Sequence, residues 1–429
     1  MTYANWALTS NAMGKKETNF KQTDIGLIPH DWEVVSLGEH SRKIGSGKTP
    51  RGGEAVYTLS GIPFVRSQNV GYGRMHLKGI SYISEALHNE QKSSEIDVND
   101  ILLNITGASI GRCSVADKYV VGGNINQHVC IIRLAPSSFI SSYLCNFLLS
   151  NNGQEQIQLL QSGGSREGIN FGQVGNIKVP LPPLKEQKRI AEVLGHFDEH
   201  IDNLAALLEK RKQVKAATMH ALLSGATRLP GFTQPWEERS LSELFSFVRG
   251  NGLSKSVVGG KGKYPCILYG QLFTTYKENI QLVASYTDLE EGVLSKKGDV
   301  LIPASTTTSG EDLATASALQ YDGVKLGGDI IVFRPKQVMD SLFMAYIIRL
   351  LKDEITALAQ GITIVHISGK RLLDLEVMMP TSVEEQSTIV DILSNMDRGI
   401  ETLEQEIMKY RQMKEGAMEE LLTGKIRLS

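Results

Sequence analysis

The sequence predicts a mixed α/β (α+β) protein built from a duplicated unit, in which each copy is a globular domain followed by one long helix. Two observations carry this. The pattern W-E-x-x-S-L-x-E, beginning at Trp32, returns 204 residues later at Trp236. Asp100-Ile-Leu-Leu-Asn104 and Leu222-Leu-Ser-Gly225 return 199 residues later, at Asp299 and Leu421. That period is far too long for a solenoid repeat, so the chain is a tandem duplication, with an internal pseudo-twofold if its helices pair antiparallel. The second observation is a pair of heptad seams. Ile190, Leu194, Phe197, Ile201, Leu204 and Leu208 are spaced alternately by four and three, and Ile389, Leu393, Met396, Ile400, Leu403 and Ile407 repeat them 199 residues on. An apolar period of 3.5 residues predicts paired helices.

In chain order, residues 1–22 read as a polar tail without an apolar signal core, and Met13 is a possible second start. Residues 23–180 form the first domain and residues 226–380 the second. Both are rich in Gly, Ser and Asn, with short β-branched runs such as Val129–Leu134 and Asp329–Phe333 that read as strands. Ser142–Leu149 and Leu342–Leu351 read as short helices. Residues 181–225 and 381–429 hold the long helices. The first begins after Pro182-Pro183; the second follows Thr381-Ser382 with Glu384 and Glu385 behind, a capping-box pattern, and Gly225 and Gly424 stand at the C-caps. Forty helical residues rise about 60 Å. An antiparallel pair would set the domains at opposite ends and a parallel pair at the same end; the seams fit both.

The 429 residues are 41% hydrophobic and 21% charged, with a net charge of −2. This balance excludes disorder and argues against indiscriminate coating of nucleic acid. No apolar run reaches the roughly 20 residues of a membrane helix. The four cysteines lack CxxC spacing, which suits a cytoplasmic chain without metal. Gly45-Ser-Gly-Lys-Thr49 ends like a P-loop, but Arg42 stands where the motif needs its first glycine, and Pro50 follows. There is no [ND]-P-P-[FYW] tetrad, His/Cys cluster or nucleophile elbow, so an autonomous enzyme is not expected and no catalytic residue is assigned. Charge is placed unevenly. Arg42 to Lys78 carries seven basic residues against one acidic, and Arg249 to Lys277 carries five against none. Both stretches are interleaved with Ser, Thr, Asn and Gln, side chains suited to phosphates and base edges. Arg66-Ser-Gln-Asn69 and Tyr269-Gly-Gln271 are the strongest base-contact candidates.

Ile28-Pro-His-Asp-Trp-Glu-Val34, Gly61–Asn69, Asp100–Gly107, Asn126-Gln-His128 and Pro180–Gln187 together resemble the specificity (S) subunit of type I restriction–modification systems, over about residues 23–429. The second copy is a looser match, with Ser305–Thr308 in place of Asn104–Gly107. The resemblance implies two target-recognition domains held apart by an antiparallel helix pair, each reading half of a gapped site in double-stranded DNA. It implies two methylation subunits that bind S-adenosylmethionine, and motor/nuclease restriction subunits that use ATP and Mg, with no cofactor on this chain. The candidate DNA contacts of the first domain are Lys48, Thr49, Arg51, Arg66, Ser67, Gln68, Asn69, Asn126 and Gln127. Those of the second are Arg249, Asn251, Ser254, Lys255, Tyr269, Gln271, Thr307 and Lys370. The alternative is a helical adaptor that never touches DNA.

Overall fold

The computed structural model describes residues 19–161 and 168–428. The chain divides into two compact units, residues 1–205 with 405–429, and residues 206–404. Neither unit coincides with one sequence repeat. Each takes a globular domain, the start of the long helix that follows it and the end of the other long helix.

Most of the tail assigned to residues 1–22 lies outside the described residues, but its last part is not tail. Phe20–Thr23 is a strand antiparallel to Gly26–Pro29, turned by Gly26 at φ 97°. The rest of the first unit is organised by Val129–Leu134, which lies between Ser41–Ser46 and Ile101–Asn104, with Cys113–Val115 outermost; every pairing in this sheet is antiparallel. Its period-2 alternation fills two cores. Cys130 and Ile132 join Ile101, Leu103, Tyr143 and Leu144 on one face, while Val129 and Ile131 join Leu102, Val65 and Ile125 on the other. A smaller sheet brings Ile62–Val65 parallel to Asn124–Ile125, and Glu33–Ser36 with Lys178–Leu181 closes the domain.

The second unit repeats the design. Ile330–Pro335 runs between Phe245–Arg249 and Asp299–Pro303. Ile331 and Phe333 face one core, and Ile330 and Val332 the other. The recurring Asp100 and Asp299 prove to be structural. Each is fully buried, accepts both hydrogen bonds of one guanidinium (Arg133 and Arg334, at 2.8–3.0 Å), and accepts a backbone N–H from the preceding turn. A buried carboxylate with this bidentate pairing is a stable arrangement where an unpaired one would not be.

The long helices span Leu184–Leu223 and Val383–Leu422. Ser382 caps the second, its Oγ accepting from the Glu385 N–H at 3.3 Å. The Glu385 carboxylate is engaged elsewhere, so the reciprocal half of the expected capping box is replaced. Both helices end on a left-handed glycine, Gly225 (φ 72°) and Gly424 (φ 69°), with Thr227 N–H donating to the Ala221 carbonyl and Ile426 N–H to that of Glu420. The seam side chains are buried or half-buried throughout. In the first unit Ile190 and Leu194 share a core with Ala417, Leu421 and Leu422, Lys414 Nζ lies 2.7 Å from Asp198, and the rings of His200 and Tyr410 are 4.2 Å apart. In the second, Leu222 and Leu223 share a core with Ile389 and Leu393, and Lys212 pairs with Glu404 at 3.0 Å. Within each unit, residue numbers rise along one helix segment as they fall along the other.

Two matching bolts fasten the helix ends. Glu186, 3% exposed, accepts from Trp32 Nε1 (3.2 Å), Arg427 Nε and NH2 (2.8 and 2.9 Å) and the Leu428 N–H (3.2 Å). Glu385 accepts from Arg228 (2.8 and 3.0 Å) and Trp236 Nε1 (3.1 Å). In each bolt the arginine lies over the tryptophan ring, 5.5 and 5.6 Å from its centroid. The tail of each repeat thus locks onto the opening of the other repeat's helix. All four cysteines are buried free thiols, and burial pushes the Cys130 thiol up to about 12.

Candidate nucleic-acid interface

In the first unit the motifs that stood apart in sequence converge at one end of the central sheet. The Gly47 N–H donates to the Asn126 carbonyl and the Asn126 N–H to the Val65 carbonyl, at 3.2 and 3.0 Å. The 47–51, 66–69 and 126–128 loops therefore meet. Glycine is required at position 47, because a Cβ there would lie 1.7 Å from the Ile125 carbonyl oxygen. Thr49 and Gln127, both exposed, are hydrogen-bonded to each other. Lys48, Arg51 and Gln68 are exposed, and among the described residues neither cation has an ion-pair partner. Arg66 is half-buried with its guanidinium 5.3 Å from the centroid of Tyr57, and its buried Nε has no partner among the described residues. Ser67 is half-buried, and its carbonyl accepts from Asn104 Nδ2 at 2.9 Å.

Two candidates in this domain are corrected. Asn69 is 1% exposed; its Oδ1 accepts from the Arg66 N–H and its Nδ2 donates to the His76 carbonyl, both at 3.0 Å. Asn126 is 5% exposed, and its Oδ1 accepts from the His128 N–H at 3.1 Å. Asn69 has both polar atoms engaged in shaping its loop, and Asn126 is nearly buried with its Oδ1 spent on its own turn. His128, within the quoted N-Q-H string but not singled out, lies between Thr106 Oγ1 (2.5 Å) and Gln127 Nε2 (3.1 Å), which places it and Thr106 in the cluster.

The second unit assembles the corresponding end. Gly250 makes the approach of Gly47, with a Cβ position 1.9 Å from the Gly327 carbonyl oxygen. Asn251, Ser254 and Lys255 are exposed on the following loop. Asn251 Oδ1 accepts from the Gly252 N–H, and the hydroxyls of Ser254 and Ser256 are 2.6 Å apart. Thr307 and Lys370 are exposed. Arg249 is exposed but paired with Asp329 at 2.6 Å, so its charge is already matched. Gln271 is the third correction. It is half-buried, its Oε1 accepts from the Leu268 N–H (2.9 Å) and its Nε2 donates to Ser285 (2.7 Å), so it holds the turn beneath the exposed Tyr269.

Tyr269 and Thr307 line a cleft of about 900 Å³ together with Lys212 and Lys215 of the first long helix and Asp397 of the second. Its basic residues are matched by carboxylates, with Lys212 on Glu404 and both Lys215 and Arg349 on Glu278. It is therefore not a phosphate site. The basic stretches are likewise thinned by pairing. Arg42 and Lys43 donate to the Leu134 and Ser93 carbonyls, Arg74 pairs with Asp202, Lys263 with Glu290 and Lys277 with Glu401. Among the described residues no cluster of His, Cys, Asp or Glu could hold a metal ion, and no helix is long and apolar enough to cross a membrane.

The family profile described as "Type I restriction modification DNA specificity domain" matches residues 29–213 and 233–409. The chain belongs to that specificity family. Two relatives from Methanocaldococcus jannaschii, named for the specificity subunits of the type I restriction enzymes MjaX and MjaVIII, are 25% and 24% identical. The alignments cover 96% of this chain in both cases, and 98% and 97% of the relatives. A solved structure of a type I restriction–modification S subunit from M. genitalium superposes with a TM-score of 0.56 at 18% identity, covering 91% of this chain and 96% of that one. At that identity the likeness speaks for the fold. Both copies of the specificity domain match, and each match runs from a globular domain into the long helix behind it.

Proposed function

We propose that this chain is a non-catalytic subunit that reads a bipartite, gapped site in double-stranded DNA and directs adenine methylation and restriction by partner subunits. The observation that carries this reading is the pair of equivalent loop clusters, one at the sheet end of each unit, each presenting unpaired cations beside exposed amides or hydroxyls. Unpaired lysines and arginines suit phosphates, and Gln68, Gln127 and Asn251 suit base edges. The two helices, pairing as an antiparallel coiled coil, would hold the readers apart and give a fixed gap between half-sites, as dimer geometry does in other DNA readers. Two methylation subunits would supply S-adenosylmethionine and the pocket for a flipped adenine. Restriction subunits would supply ATP- and Mg-dependent cleavage, and the assembly would work in the cytoplasm. An adaptor that never meets DNA leaves Lys48, Arg51 and Lys255 without a role.

The test mixes the purified chain with a random-sequence DNA library and labelled S-adenosylmethionine, with and without a methylation subunit. We expect no methyl transfer by the chain alone, and methylated adenines at two half-sites with one fixed gap once the subunit is added. Methylation by the isolated chain, or by the complex without site preference, would overturn the reading.

Electrostatics supplies a second expectation. Lys48→Ala and Arg51→Ala should each flatten the slope of log affinity against log salt by about 0.9, the share of one phosphate contact. Arg249→Ala should change it less, because Asp329 already neutralises that charge. Binding of the assembled complex measured across a salt series checks both. Unchanged slopes would remove Lys48 and Arg51 from the interface.

A further inference from the structure

The second unit carries a feature that this reading does not use. Residues 360–366 form a tight hairpin, closed by reciprocal backbone bonds between Gln360 and His366 (2.9 and 2.7 Å). At its tip stand Ile362, 101% exposed, and Ile364, 47% exposed, with exposed Thr363 between them. The tip is shaped by Gly361 at φ 117°, where a Cβ would meet the Ile364 carbonyl oxygen at 2.0 Å. At its base Val365–His366 pairs with Ser305–Thr306, so the hairpin stands beside exposed Thr307. Its shoulders are basic. His366, Lys370 and Arg371 are exposed, and the recess beside the hairpin is lined by His366 and Arg371 and by Arg249, whose charge Asp329 matches. Among the described residues Lys370 and Arg371 have no ion-pair partner.

An apolar tip between unpaired cations has the chemistry of a DNA groove, with phosphates at the walls and base edges at the floor. The major groove, about 12 Å wide, admits a two-stranded ribbon, whereas the minor groove, about 6 Å wide, does not. On the major-groove floor the apolar group is the 5-methyl of thymine. We propose that Ile362 and Ile364 are specificity-determining residues that read a thymine methyl in the half-site bound by the second unit. This rests on the DNA-reading function above and goes beyond it by naming a contact and the base it selects. The corresponding stretch of the first repeat, Ser162–Glu167, has no isoleucine, so the contact belongs to one half-site.

The experiment uses the full chain assembled with its methylation subunits on its mapped site. Each thymine of both half-sites and both strands is replaced singly by uracil, which lacks only the methyl group, and affinity is measured by competition. We expect uracil at one or two positions of a single half-site to weaken binding by about fourfold, the worth of one buried methyl. The Ile362→Ala/Ile364→Ala variant should bind the thymine site less tightly and no longer distinguish thymine from uracil there. The proposal is overturned if no position shows this loss of discrimination, including the case where the variant binds thymine and uracil DNA equally less well than the unaltered chain at every position, as a wedge or general contact would. A complex with no preferred site at all would overturn the underlying DNA-reading function instead.

Discussion

Glu186→Ala should destabilise the first unit by about 3–5 kcal/mol, the usual loss when one partner of a buried ion pair is removed. The Glu186 side chain accepts from three residues at once. Without it, the buried Trp32 N–H has no acceptor, and Arg427 keeps only Asp31, whose side chain is 58% exposed. Glu385→Ala should act alike on the second unit, stranding Arg228 and Trp236. Glu186→Gln retains one acceptor oxygen and should cost less. Denaturant unfolding of the purified variants measures this, with Glu192→Ala as control, since Glu192 and Lys188 are exposed and 3.9 Å apart and such a pair contributes about 0–1 kcal/mol. A loss no greater than the control's would show that the bolts do not hold the units.

Gly47→Ala should abolish reading of the first half-site. The added Cβ would lie 1.7 Å from a backbone oxygen and 3.1 Å from Ser94 Cβ, and a backbone atom cannot move aside as a flexible side chain can. The 47–51 and 126–128 loops would have to part, carrying Lys48, Thr49, Arg51 and Gln127 with them. Gly45→Ala, two residues away and with nothing within 4 Å of its Cβ position, is the matched control and should bind normally. Methylation mapping of both variants in the assembled complex tests the pair. Equal behaviour would mean that the loop junction does not govern recognition.

The long helices were legible in sequence because their signals are local and redundant: a 3.5-residue seam, an absence of proline, and a glycine after the last turn of each. The sheets were legible as β-branched runs such as Val129–Leu134, although their order was not, since Ile62–Val65 finds Asn124–Ile125 across some 60 residues. That the 47–51, 66–69 and 126–128 loops meet was not legible atom by atom. An asparagine looks the same in sequence whether it faces a base or, like Asn69 and Asn126, holds a turn. Nor does a run of cations reveal which of them are taken by partners remote in sequence, as Arg42 is by the Leu134 carbonyl and Arg74 by Asp202. The repeat offsets marked Trp32, Trp236, Arg228 and Arg427 as equivalent pairs. They did not show that each arginine docks on the other repeat's helix, a pairing that depends on where the chain returns in space.

That crossed docking orders events during synthesis. Residues 206–404 of the second unit are contiguous in the chain, whereas the first unit is completed only by residues 405–429. At about 5–20 residues per second, the 199 residues between its two parts take the ribosome roughly 10–40 s to make. Through that interval the faces of Ile190 and Leu194 destined for Leu421 and Leu422 stay uncovered, and the Glu186 carboxylate lacks its arginine. The half of the protein translated first is thus the half that finishes folding last, and it stays the more vulnerable to proteases and to sticky neighbours until the final turns of helix emerge.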